Sequence, residues 1–273
     1  MKQIQRLIIF GLAIFLFSCK NDGNVLNVVN SESFSEKQIV IDGQLKLRLL
    51  PDSFKNLIND YPFQDKLNAM IVTIDGLRKA KSDSVWLNLL ANWDNFRLYH
   101  IGTDGLPIFH ANELIDLVGN SETIAVAQKW IELNSKMLKF SGETRFGDVL
   151  ENLLLNSKIQ VFNESLLKSV VYTHIDDQIF INLIGFSSVN HYHTTGGTVK
   201  LIQETDYPAG NEMTLKCESD DIRFLDVFIR IPSWAVNPKV THGNVKYVAH
   251  PGEYCEISRK WGNGDEIKVI LKN

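Results

Sequence analysis

The period of the hydrophobic pattern changes once along this chain, near Ser157, and that change bounds what the chain can fold into. From Pro51 to Asn156 apolar residues recur at helical spacing: Phe54, Leu57, Ile58; then Leu67, Met70, Ile71, Ile74, Leu77; then Trp86, Leu89, Leu90, Trp93, Phe96. Asn120-Ser121 is suited to cap a long helix whose apolar face includes Ile124, Ala127, Ile131, Asn134 and Leu138, and Ser141-Gly142 ends it. A further helix is predicted from about Thr144 through Phe146, Val149, Leu150 and Leu153, and a short strand over Val40 to Leu50.

After Lys158 the pattern shortens to alternating runs broken by Gly, Pro, Asn and Asp. Strands are predicted over Val170 to Thr173, Gln178 to Ile184, Thr198 to Glu204, Glu212 to Cys217, Arg223 to Ile231, Val245 to Ala249, Glu253 to Ser258 and Glu266 to Leu271. So many short runs at close spacing indicate an antiparallel sandwich. The expected fold class is α+β, with helices over 40–157 and a β-sandwich over 158–273.

The N-terminus bears on location. Lys2 and Arg6 precede the apolar run Leu7 to Phe17, which is short for a membrane span and ends at Ser18-Cys19. Residues 1–19 read as a secretory signal. Leu16-Phe17-Ser18-Cys19 resembles a bacterial lipobox, which implies a lipidated Cys19 and an outer-membrane lipoprotein; an ordinary cleaved signal or an uncleaved anchor is the alternative. Several acyl chains at roughly 0.8 kcal/mol per buried methylene hold a protein to a membrane durably. The polar stretch 20–39 then serves as a tether.

Composition removes other classes. A chain of 273 residues, 44% apolar and 22% charged, can bury a sizeable core, so the mature part is globular. A formal net charge of -4 without a basic block argues against nucleic acid as partner. Beyond Cys19 only Cys217 and Cys255 remain, too few for a disulfide framework; they read as buried free thiols, with a single bridge as the alternative.

Three segments occur in a telling order: LIQETDYP (Leu201 to Pro208), FIRIPSWA (Phe228 to Ala235) and GEYCEISRKWGNGDEIKVIL (Gly252 to Leu271). The last explains itself as a core-alternating strand, a Trp261 anchor, a Gly-Asn-Gly-Asp turn and a closing strand. Together they resemble the C-terminal sandwich of glycoside hydrolase family 127, the former DUF1680 group. The likeness extends into the helices: Leu133 to Asn156 is similar to the family's helical pair leading out of its (α/α)6 barrel, and Val85 to Gly105 to the preceding helix and the turn toward its active site. Tyr172 to Ser188 resembles the first strands after the barrel. The start of the family is faintly matched at Ile41 to Leu49, as if the middle of the barrel were deleted.

The resemblance implies chemistry that these residues meet only in part. Family members cleave β-L-arabinofuranosides through a cysteine thiolate held on Zn²⁺ by further cysteines and a glutamate, with a second glutamate as acid/base; soft sulfur ligands keep such a thiolate deprotonated and placed. The ligand motif Glu-Thr-Cys falls on Glu122-Thr123-Ile124, so its cysteine is replaced. Gln160 to Ser169 is shorter than the family's stretch and lacks its paired cysteines, and the acid/base glutamate falls on Leu106 or Pro107 unless Glu113 takes its place. Glu151 matches a family glutamate and is retained. No zinc cofactor is therefore expected. A closed barrel of six helical hairpins needs on the order of 200 residues, and 40–157 offers little more than half of that.

What is left is a partial helical arc on a sandwich. The chain reads as a truncated family 127-like lipoprotein linked to plant-glycan use, with a plant-type oligosaccharide or polysaccharide as partner and an oligomer or a neighbouring enzyme as a further one. Classical hydrolysis by a carboxylate pair is one alternative, with Glu122 and Glu151 as catalytic candidates and Glu113, Asp104 and Asp148 behind them, and a non-catalytic carbohydrate-binding module is another. Against it, Glu122 and Glu143 suit helix N-termini, and Glu151 suits an ion-paired helix residue. His191 and His193 share one face of a strand or loop but lack a third metal ligand. Asp176-Asp177 reads as a hairpin turn, and Trp86, Trp93 and Trp130 at helical spacing read as core more than as a sugar platform.

Overall fold

A computed structural model describes residues 27–28, 62–102, 105, 121–155 and 164–272. The expected signal, lipidated Cys19, most of the tether, the strand over 40–50 and the helix carrying Phe54, Leu57 and Ile58 lie outside the described residues.

Among the described residues five helices precede most of the strands: α1 (Pro62–Leu77), α2 (Asp83–His100), α3 (Ser121–Ser141), α4 (Thr144–Leu155) and α5 (Glu164–Val171). The apolar stripes found in the sequence are the buried faces. Leu67, Met70, Ile71, Ile74 and Leu77 of α1 pack against α3, as do Leu89, Trp93 and Phe96 of α2 within the same core. Trp93 and Trp130 stack with centroids 5.5 Å apart, and the Trp93 indole donates to Asn134 Oδ1 at 3.0 Å. Trp86 packs on Phe140 at 5.0 Å. All three tryptophans therefore serve packing.

The α3–α4 corner follows from one glycine. Gly142 takes φ +69° and its N–H donates to the Leu138 carbonyl at 2.8 Å, a left-handed stop that turns the chain directly into α4. Ser141 Oγ accepts the Glu143 N–H at 3.2 Å, which begins the next helix.

The strands form two sheets. One has the order β1-β2-β3-β7-β10, with β1 Asn27–Val28, β2 Tyr172–Ile175, β3 Gln178–Ile181, β7 Arg223–Arg230 and β10 Tyr254–Trp261. The other has the order β4-β5-β6-β11-β8-β9, with β4 Ser187–Tyr192, β5 Thr198–Thr205, β6 Glu212–Ser219, β8 Lys239–His242, β9 Val245–Tyr247 and β11 Glu266–Ile270. The pairings are antiparallel except β3 with β7. Alternation places Leu225, Val227, Ile229, Cys255 and Ile257 on the inner face of the first sheet and Leu201, Met213, Leu215, Cys217, Ile267 and Val269 on that of the second.

The helix α5 and the strands β4 and β8 fall where no such element is predicted, and two further details differ from expectation. The run at Val170 ends α5 and becomes strand only at Tyr172, because the preceding residues have a helical face to bury. The Gly262 to Asp265 turn does not close a hairpin; it carries the chain from β10 in one sheet to β11 in the other. Gly264 there takes φ +85°, Asp265 Oδ2 accepts the Gly262 N–H at 2.8 Å, and the fully buried Trp261 indole donates to the Leu225 carbonyl at 3.2 Å.

Candidate functional site

The period of two that buries Ile229 and Cys255 inside the sandwich turns Arg230 and Tyr254 to the other side of the same sheet, where they sit opposite one another in register. That outer face meets α4. On α4, Gly147, Asp148 and Glu151 fall on one side of the helix by the three- and four-residue spacing. They receive the Arg230 side chain. A Cβ at position 147 would lie 2.7 Å from Arg230 Cδ and 2.9 Å from its Nε, so only glycine lets the guanidinium pass.

Arg230 has no exposed surface and is tied on every side. Its Nη1 donates to Asp148 Oδ1, its Nη2 to Glu151 Oε2, and its Nε to the Asn182 carbonyl at 2.5 Å. Glu151, itself only 4% exposed, accepts through Oε1 from the Tyr207 hydroxyl and from the Trp234 indole at 3.0 Å. Tyr207 and Trp234 lie parallel, 3° apart, with centroids 6.0 Å apart. The Tyr254 hydroxyl donates to Asn182 Oδ1 at 2.5 Å, and the Ser233 N–H reaches Asp148 Oδ1 at 3.3 Å.

Charge follows from these contacts. Burial works against the Arg230 cation, but the carboxylates of Glu151 and Asp148 outweigh it and raise its pKa, so the guanidinium stays charged. Burial and the Glu151 carboxylate push the Tyr207 phenol up, which keeps it a donor. Both oxygens of Glu151 are thus engaged. An ion-paired carboxylate held by three donors is an anchor between helix and sheet, and Trp234 stays 41% exposed.

Gly105, at the turn following α2, is placed against the same helix: a Cβ there would lie 2.9 Å from Asn152 Nδ2. The backbone of Glu122 lies in the first turn of α3. Its side chain, together with Asp104, Leu106, Pro107 and Glu113, lies outside the described residues. Glu143 precedes α4 and pairs with Arg145 at 2.8 Å. Sequence reasoning picked out Glu151 and Asp148 but missed Arg230, Tyr207, Trp234, Asn182 and Tyr254. A charged residue between Ile229 and Ile231 was the available signal, because a buried arginine demands carboxylates.

The histidine pair is buried at the sheet edge. Asp177, in the β2–β3 turn, accepts from His191 Nε2 at 2.9 Å and from the Thr194 N–H at 3.0 Å, with His193 Nε2 at 3.3 Å. Asp176 takes φ +48° in that turn. Among the described residues no cluster of three or more His, Cys, Asp or Glu is arranged to hold a metal ion. Cys217 and Cys255 are free, buried, and in opposite sheets. Burial pushes each thiol up to about 11, away from the thiolate that a zinc ligand or nucleophile must be. Neither thiol fits a cysteine–zinc centre beside Glu151.

Comparison with known proteins places this geometry. Residues 178–273, from β3 to the end of the strands, match the family model described as beta-L-arabinofuranosidase, GH127 middle domain. That match is confined to the strand region. A search of curated proteins found no match. Among solved structures, a GH127 beta-L-arabinofuranosidase from Geobacillus stearothermophilus T6 matches with TM-score 0.62 at 18% identity, over 75% of this chain and 41% of that one. A GH127 beta-arabinofuranosidase matches with TM-score 0.61 at 18% identity, over 75% and 42%, and a protein described as a glycoside hydrolase with TM-score 0.62 at 15% identity, over 75% and 46%. Three quarters of the chain exceeds what 178–273 alone holds, so the likeness of fold to GH127 proteins includes helices as well as the sandwich. The chain spans less than half the length of these solved relatives.

Proposed function

We propose that this is a GH127-like, β-L-arabinofuranosidase-like protein of plant-glycan utilisation, exported and anchored through Cys19, that engages arabinofuranose-containing glycans without the cysteine–zinc chemistry of its relatives. The observation that carries the reading is the match of 178–273 to the GH127 middle domain. Its silence by the cysteine route is supported by the sequence having only Cys19, Cys217 and Cys255, the latter two buried inside the sandwich. Glu151 then acts as the acceptor that locks Tyr207 and Trp234 to α4, not as a proton donor to a leaving group.

The test is hydrolysis of p-nitrophenyl β-L-arabinofuranoside with and without added Zn²⁺. The expected result is release no faster than the blank, alongside retention of the protein on arabinan. Turnover that disappears in Glu151→Gln overturns the reading. Among the described residues no helix is long and apolar enough to cross a membrane. Anchoring is checked separately: Cys19→Ala should lose palmitate labelling and move from the membrane to the soluble fraction.

A further inference from the structure

A groove of about 590 Å³ runs between α1 and α2, away from the Arg230 cluster, and its lining is unusual in chemistry. All three asparagines of α2, Asn88, Asn92 and Asn95, line it. They are spaced four and three residues apart, which puts them in one row along the helix. Asparagine is a poor helix former, weaker than the alanine or glutamate that would serve an ordinary solvated face. The other exposed side of the same helix has none; it presents Leu87, Ala91, Asp94 and Leu98. The asparagines of this helix are thus confined to the one face that borders a cavity.

The remaining walls suit the same kind of guest. Asn92 Nδ2 donates to Asn88 Oδ1 at 3.3 Å, which orients both amides along the row. Thr73 of α1 lies across the groove, and the Tyr99 ring, 61% exposed, closes the end of the row. Met70, Leu89 and Phe96 form an apolar floor. Carboxamides offer a donor and an acceptor side by side, as adjacent hydroxyls of a sugar do, and an exposed aromatic ring packs on the C–H face of a pyranose or furanose. Lys66 and His100 are the only basic side chains in the lining and no acidic one is present, so a cation has nothing to pair with there. The volume lies within the range of about 300–1,000 Å³ typical of small-molecule sites and is large enough for a short oligosaccharide.

We propose that this groove is a binding site for a neutral oligosaccharide, with Asn88, Asn92 and Asn95 as the hydrogen-bonding row and Tyr99 as the stacking platform. It stands on the groove's own chemistry and is independent of whether the Glu151 region touches sugar.

The experiment is isothermal titration calorimetry of the full mature chain with arabinotriose, xylotriose and cellotriose. At least one neutral trisaccharide should bind, and Asn92→Ala and Asn95→Ala should each weaken it by about five- to ten-fold, the loss of one or two neutral hydrogen bonds. Tyr99→Ala should weaken it similarly, and Tyr192→Ala, on the exposed side of β4, should leave it unchanged. The asparagine variants raise helix propensity, so an unchanged or higher melting temperature shows that lost binding is not lost folding. No binding of any of the three sugars, binding insensitive to the groove variants, or a sedimentation velocity profile in which a second copy closes the groove in the absence of sugar overturns the proposal.

Discussion

Arg230 places a positive charge where no part of the side chain is exposed, between the two carboxylates of Asp148 and Glu151. Removing one partner of such a group strands the others, and the cost is typically about 3–5 kcal/mol. Arg230→Met should therefore lower stability in urea melts by roughly that amount, and adding Glu151→Leu should recover part of it, because an apolar pair needs no counter-charge. Gly147 gives a sharper test through its sign. Glycine to alanine inside a helix normally gains up to about 1 kcal/mol, but here the new methyl meets Arg230 Cδ at 2.7 Å. Overpacking costs about 1–3 kcal/mol, so Gly147→Ala should destabilise. A gain in melting temperature would mean that Arg230 does not occupy this place.

At the scale of elements, the turn joining β2 to β3 is fastened to the edge strand β4 and its following turn by Asp177. Burial, chiefly, lowers the His191 pKa below its ordinary 6.5, with the Asp177 bond opposing. The folded state thus binds fewer protons there than the unfolded state, and stability rises with pH through the range just below 6.5. Burial raises Asp177, but hydrogen bonds from Thr194 and His191 outweigh it and leave its pKa below 3.8, so its contribution is present above that value and is lost as the pH falls through the folded pKa. Melting temperature should fall from pH 7 to 5, then again below about 4. His191→Gln should flatten the first decline only; an unchanged profile would show that His191 takes no part.

This edge was also the part of the fold least legible in the sequence. Strands β5, β6, β7, β10 and β11 announce themselves because most alternate positions carry an apolar residue buried in the core, interrupted at Gln203 and Arg259. β4 does not. Its inward positions include Ser187 and His191, whose partners are the Tyr172 hydroxyl and Asp177, so polarity concealed a buried strand. β8 is four residues long with Val240 as its inward apolar residue. For the site, Glu151 was readable by resemblance and its ion-paired role by helix logic, yet its partners come from three separate loops and strands that only the fold brings together.

Over the whole molecule, the helices and the sandwich are joined where α4 crosses the outer sheet face. Thr144 Oγ1 donates to the Gly252 carbonyl at 2.5 Å at one end of α4, while Asp148 and Glu151 hold Arg230, Ser233, Tyr207 and Trp234 further along. Small units unfold together when the contacts between them are worth more than the difference in their separate stabilities. Here a few charge-assisted bonds in a protected corner add to an apolar core that runs on through helices and strands. The wild-type chain should therefore melt in one step, with helical circular dichroism and tryptophan near-ultraviolet signals coincident. Asp148→Asn with Glu151→Gln keeps the shape of both side chains and removes both negative charges facing Arg230. The buried guanidinium is then uncompensated from the helical side, and the two layers should separate into two transitions, the helical signal lost first because α1 and α2 lack a sheet to rest on. Two transitions in the wild type, or a single one in the double variant, would show that apolar contact alone holds the layers together and that the charged corner has another role.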